Sequence, residues 1–182
     1  MKKINSYFPL IILVLITALA SFAIYKSNIK QNLGKENFSA TKTTLFLDED
    51  TKIRGLFDEN DYLSQEKLVN SENKYTIINI FASWCATCIE EHEVLFEIAK
   101  IPAINFYGIA WNDYSENTKN YLQKYGNPYQ KTVLDSKGNL NKILGVGAVP
   151  ETFLVNPDGV IIYRHQGVIE KSDIAKLLNM RK

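Results

Sequence analysis

The feature that most restricts how this chain can fold is the junction at Ser83-Trp84-Cys85. Before it, "YTIINIFAS" (75–83) is rich in β-branched and aromatic residues and carries no charge, the pattern of a strand covered on both faces. After it, residues 86–100 contain neither Gly nor Pro, with Ile89, Phe96 and Ala99 near helical spacing, so a helix is expected from the cysteine pair to just before Pro102. Cys85 and Cys88 are the chain's only cysteines, and they sit where that strand hands over to that helix.

The surrounding pattern extends the alternation. "INFYGIAW" (104–111) reads as a second buried strand, and "SENTKNYLQKYG" as a helix with Tyr121, Leu122 and Tyr125 on one face and Gly126 as its C-cap. "KTVLD" leads into a turn at 135–138. "ETFLV" and "VIIYR" form a hairpin through Asn156-Pro157-Asp158-Gly159, and a closing helix over 170–182 puts Ile174, Leu177 and Leu178 on one stripe. Nearer the N-terminus, "TLFLD" (44–48) reads as a short strand and "YLSQEKLVN" (62–70) as a short helix.

Residues 4–25 carry no charge and follow Lys2 and Lys3. As a helix they would measure roughly 33 Å against a hydrocarbon core of about 30 Å, so 1–25 is expected to be a transmembrane signal anchor. Ala18-Leu19-Ala20 offers a cleavage pattern, but apolar residues continue to Tyr25, past where a signal core would stop. A polar linker over 26–42 and one domain over 43–182 complete the expected organisation. The net charge of +1 provides no footprint for a nucleic-acid backbone.

Three roles are open to the cysteine pair. A structural disulfide would close a four-residue loop, stabilising by roughly 2 kcal/mol where a hundred-residue loop gives about 4.7. A metal site would need His92 and His165 both to converge on the thiolates, and covalent haem attachment would need His where Ile89 stands. The redox role explains the placement. At a helix mouth, free amides and the macrodipole favour a Cys85 thiolate, and Cys88, one turn on, lies within reach to resolve a mixed disulfide. Val149-Pro150, directly before a strand, has two readings: a simple loop stop, or a cis peptide that turns the chain and leaves the Val149 backbone open to an extended substrate.

Through "NIFASWCATCIEEH", "YGNPY", "GVGAVPETFLV" and "VIIYRHQG" the chain resembles the thioredoxin-like thiol-disulfide interchange proteins of cytochrome c biogenesis, the DsbE/CcmG type. The resemblance implies a thioredoxin-like α/β fold, a central mixed sheet flanked by helices, after one N-terminal transmembrane helix. It implies Cys85 as nucleophile, Cys88 as resolving thiol, Trp84 as a wall of the site, Pro150 as the cis-proline, and Glu91 and Glu151 as the acids beside them. It further implies a single-pass protein of the bacterial inner membrane with its catalytic domain in the periplasm, needing no cofactor beyond the cysteines. Such a protein reduces the haem-binding cysteines of apocytochrome c or another disulfide-bearing substrate, with electrons from an integral-membrane thiol-disulfide carrier. Ala86 departs from the family's usual proline. Two alternatives are a less selective extracytoplasmic reductase and a thioredoxin-like copper-binding assembly protein, whose cysteines stand one residue further apart.

Overall fold

The computed structural model describes residues 8–33, 43–44, 53–58, 60–64 and 74–181. The chain divides into two compact units, 1–37 and 38–182. The first contains helix α1 (Phe8–Leu33), on which every described side chain is exposed. Among the described residues no helix is long and apolar enough to cross a membrane. The span expected over 4–25 is therefore not found here, and the linker and domain boundaries remain expectations.

The second unit is built on β4 (Tyr75–Phe81), which is buried along its whole length except at Tyr75. Its uncharged run allows both faces to be covered, and neighbours flank it on both edges. β5 (Ile104–Trp111) runs parallel to it on one edge, followed by β6 (Lys131–Asp135), also parallel. On the other edge β7 (Glu151–Val155) is antiparallel to β4, β8 (Val160–Gln166) is antiparallel to β7, and β1 (Thr43–Thr44) pairs with β8. The six strands form one mixed sheet in the order β1-β8-β7-β4-β5-β6, as expected for the thioredoxin-like fold.

Side chains alternate across β4. Ile77 and Phe81 enter a core with Phe106, Tyr121, Tyr129, Leu154 and Leu177, while Ile78 and Ile80 enter a second core with Ile109, Val133, Phe153 and Val155. Asn79 falls on the Ile77 side, fully buried. Helix α4 (Ser115–Tyr125) ends at Gly126, which takes a positive φ (91°) as the C-cap that its spacing suggested. A Cβ at Gly126 would approach the Phe96 ring to 2.7 Å, so glycine is needed there for space as well as for conformation. The β7–β8 hairpin turns where expected: the Asn156 side chain accepts from the Asp158 and Val160 amides, and Gly159 takes the positive φ. Helix α6 (Lys171–Asn179) starts with a reciprocal cap between Glu170 and Asp173.

Three local expectations change. Tyr62 and Leu63 form a strand, β3 (Tyr62–Leu63), against β2 (Ile53–Arg54), because Leu63 finds its burial opposite Ile53. The rest of the helix expected over 62–70 lies outside the described residues, apart from Ser64, and so does most of the strand expected over 44–48. The helix expected over 86–100 is broken into α2 (Ala86–Glu90) and α3 (His92–Ala99) at Glu91, whose side chain turns fully inward. A further helix, α5 (Asn139–Leu144), follows β6, with Asp135 Oδ1 accepting from the Asn139 amide at its start.

Candidate active site

The site lies where β4 ends and α2 begins. Cys85 is the N-cap of α2 in extended conformation, and its sulfur accepts from the Cys88 amide at 3.1 Å, the contact a helix start offers to an anionic sulfur. The two cysteines are joined in a disulfide with a Cα–Cα distance of 5.4 Å. Both cysteines are buried in this oxidised form, at 4% and 1% residue exposure. Thr87 Oγ1 lies 3.4 Å from the Cys85 sulfur.

The Val149–Pro150 peptide is cis, and it brings the Val149 carbonyl oxygen to 3.6 Å from the Cys85 sulfur. The Pro150 carbonyl accepts from the Gly167 amide at 2.9 Å, tying this corner to the end of β8. The sequence-derived pair of cysteines and the proline thus converge from segments more than sixty residues apart.

Trp84 is 57% exposed beside the disulfide, its indole donating to the Asn112 carbonyl at 3.1 Å and its ring 6.3 Å from that of Trp111. What holds this turn is Asp113. Buried at 3% exposure, it accepts from the Ser83 amide (2.7 Å), the Ser83 hydroxyl (2.9 Å), the Tyr114 amide (2.7 Å) and the Thr118 hydroxyl (3.0 Å). Four donors meet the needs of a buried carboxylate and fix the backbone immediately before Trp84 and Cys85.

The two acids expected near the cysteines occupy opposite faces of the sheet. Glu91 is fully buried three residues beyond Cys88. One of its oxygens accepts from Asn79 Nδ2 and the other from the Ile169 amide, each at 2.9 Å. Burial raises its carboxyl from 4.5 to about 7, against the opposing pull of those two donors. Asn79 also donates to Thr152 Oγ1 (3.1 Å) and accepts from the Tyr129 hydroxyl (2.7 Å). Glu151, next to the cis-proline, points to the other side from Thr152, where Arg164 engages it; Arg164 itself stacks over Phe153. Burial raises the Glu151 carboxyl and the Arg164 bond lowers it, with the upward effect larger.

His92 and Tyr121 complete the floor. The Tyr121 hydroxyl lies 3.3 Å from both the Cys88 carbonyl and His92 Nδ1, while His92 Nε2 is 2.9 Å from the Gly126 carbonyl. Burial holds the Tyr121 hydroxyl up at about 12. Among the described residues no group of three or more His, Cys, Asp and Glu is placed to hold a metal.

Sequence reasoning gave no site role to Asn79, Asp113, Tyr121, Tyr129 or Thr152, although all but Asp113 stood in segments it singled out. One signal was available: an amide in the middle of a doubly buried apolar strand must have partners. The identity of those partners depends on tertiary contacts.

Comparison with known proteins agrees with this geometry. The Redoxin family model matches residues 58–179. The chain is 32% identical over 164 residues to the thiol:disulfide interchange protein DsbE of Pasteurella multocida, a match covering 88% of this chain and 85% of that one. It is 42% identical over 96 residues to the thiol:disulfide interchange protein CycY of Rhizobium leguminosarum, covering 53% of this chain and about half (52%) of that relative. Among solved structures, a Mycobacterium tuberculosis disulfide oxidoreductase superposes with a TM-score of 0.58 at 17% identity, over 71% of this chain and 94% of that one, a likeness of fold. With a disulfide at the start of the helix after the central strand and the Val149 carbonyl of a cis Val149–Pro150 peptide beside the Cys85 sulfur, the chain belongs to the Redoxin family, as a thiol-disulfide oxidoreductase akin to the DsbE interchange proteins.

Proposed function

We propose that this protein is a membrane-anchored reductase of the bacterial periplasm that keeps the haem-binding cysteines of apocytochrome c reduced. The observation that carries the reductive direction is the pairing of the disulfide with the buried Glu91 and the absence of Lys or Arg from Cys85 to Glu97 in the sequence. A strong oxidant of this chemistry owes its potential to a greatly stabilised thiolate. Here Cys85 has the helix mouth in its favour, while a buried acid and its acidic neighbours Glu90 and Glu93 oppose further negative charge.

In the proposed cycle the Cys85 thiolate attacks one sulfur of a substrate disulfide. A Cys85–substrate disulfide forms and the other substrate sulfur leaves as a thiolate. Cys88 then gives up its proton, for which Glu91 is the nearby acceptor, and attacks the Cys85 sulfur, closing the Cys85–Cys88 bond and releasing the second substrate thiolate. Two electrons have passed to the substrate, whose two thiolates take protons from water; a membrane dithiol carrier then returns two electrons as its own thiols close to a disulfide and shed two protons, the proton on Glu91 goes back to Cys88, and Cys85 is left as the thiolate. Trp84 and the Val149 backbone border the path by which an extended substrate segment reaches Cys85, and Pro150 holds that edge in place. Glu151 supports the Pro150 corner from the far face of the sheet through Arg164.

The proposed organisation is a single-pass anchor within 1–25, a linker over 26–42 and a periplasmic domain over 43–182. The span is supported by the uncharged run 4–25; because Lys26, Lys30 and Lys35 flank its far end as Lys2 and Lys3 flank its start, the periplasmic orientation rests on the likeness to the DsbE proteins. A Cys88→Ser variant, which cannot resolve the mixed disulfide, tests the substrate. Apocytochrome c trapped through Cys85 is expected. A broad mixture of periplasmic proteins without it would replace this reading with that of a general reductase.

A further inference from the structure

The segment "GNPY" is needed for neither the disulfide nor the cis-proline corner, yet its last residue lies at the heart of the domain. Tyr129 is 6% exposed, with its ring stacked 5.1 Å from Phe81 and 5.0 Å from Phe106. Gly108 makes room for it: a Cβ there would come within 2.4 Å of the ring. Asn127 Oδ1 accepts from the Tyr129 amide at 3.1 Å and helps set its entry. All of this delivers one hydroxyl to Asn79 Oδ1 at 2.7 Å.

An asparagine amide can present either its NH2 or its oxygen to a neighbour, and the two choices suit opposite states of a carboxyl. With the NH2 toward Glu91, as here, the ionised carboxylate is satisfied at 2.9 Å. With the amide reversed, its oxygen would face a carboxylate oxygen at that distance, which is tolerable only when Glu91 is protonated and donates. The Tyr129 hydroxyl could accept from a reversed amide, but here it donates to Asn79 Oδ1 while Asn79 donates to Glu91, a head-to-tail chain in which each bond polarises the next toward the ionised carboxylate. Burial keeps the Tyr129 hydroxyl protonated well beyond the ordinary tyrosine range, so the donor persists at any pH the protein meets. We propose that Tyr129, acting through the Asn79 amide, is a positioning residue that governs how tightly Glu91 holds its proton.

The titratable groups around Glu91 are Tyr121 from α4 and Tyr129 before β6, both shifted upward in part by its charge, and the adjoining His92, packed on Tyr121, while Cys88 is held in the disulfide. The consequence for disulfide exchange rests on the role proposed above for Glu91, whereas the inference itself concerns only the carboxyl.

The test uses the oxidised full-length chain in detergent with ¹³C-labelled glutamate side chains, following the Glu91 carboxyl carbon against pH. Tyr129→Phe should strengthen proton binding about tenfold, raising the midpoint by about one pH unit, the scale of one hydrogen bond to a charged group. A change under about twofold, or a fall, overturns the inference. Should that variant lose its near-ultraviolet dichroism, the wild-type chain decides. The Asn79 side-chain amide resonances must then titrate with the Glu91 midpoint, and their indifference to it overturns the inference equally. If the carboxyl shifts in Tyr129→Phe but disulfide exchange in Glu91→Gln matches wild type at every pH, this inference stands and the role of Glu91 in exchange falls.

Discussion

Glu91→Gln changes one buried atom and should invert an ordinary expectation about removing a charge partner. On folding, burial moves the Glu91 carboxyl from 4.5 to about 7. The folded state therefore holds a proton that the unfolded state has released over the window between those values. Stability is greatest below about 4.5 and declines as pH rises toward about 7. Each pH unit of such a difference corresponds to about 1.4 kcal/mol, so the wild-type protein should lose about 3 kcal/mol across the window from this group alone. Glutamine resembles the protonated acid and does not titrate, so its variant lacks that loss. Near pH 4.5 the two proteins should be comparable, since each presents a donor where Asn79 or the Ile169 amide also donates. By pH 8 the Gln variant should be more stable by about 3 kcal/mol. Urea denaturation of the oxidised proteins at half-unit pH intervals, followed by tryptophan fluorescence, measures the difference. Parallel stability profiles would refute the account of Glu91 as an acid held neutral by burial.

Asp113→Ala removes the acceptor of four hydrogen bonds beneath the Trp84 turn and should cost about 3 kcal/mol of stability, measured in the same denaturation assay. In the reduced protein, limiting iodoacetamide should label Cys85 ahead of Cys88, as read by peptide mapping; preferential labelling of Cys88 would reverse the roles proposed for them. The full chain should stay with the membrane fraction through a carbonate wash, and its recovery as a free protein cut after Ala20 would overturn the proposed anchor.

The parts of this fold that were readable in the sequence rest on local rules. β4 announces itself by an uncharged β-branched run, the hairpin by Asn156 to Gly159, the end of α4 by Gly126, and the redox pair by its place between strand and helix. Pro150 stood open between a loop stop and a cis turn on local rules, and it was the family resemblance that marked it as the cis-proline the structure shows. The parts that were not readable depend on distant partners. The helix is interrupted at Glu91, an inward side chain whose partners are Asn79 and Ile169, the latter 78 residues away. Asn79 meets Tyr129 across 50 residues and Thr152 across 73. Tyr62 and Leu63 became a strand because Leu63 found Ile53, which outweighs local helix preference in so short a segment. Glu151 was grouped with the cysteines by the family resemblance, and strand alternation turns it to the opposite face from Thr152, toward Arg164.

The central claim is that the Cys85–Cys88 pair works as a reductant, and its reduction potential tests this most directly. Equilibrating the protein in graded thiol-disulfide buffers and quantifying the two forms should give a value below about −180 mV, on the thioredoxin side of the disulfide isomerase range. A potential near about −120 mV, that of the strong oxidants of this chemistry, would contradict the account.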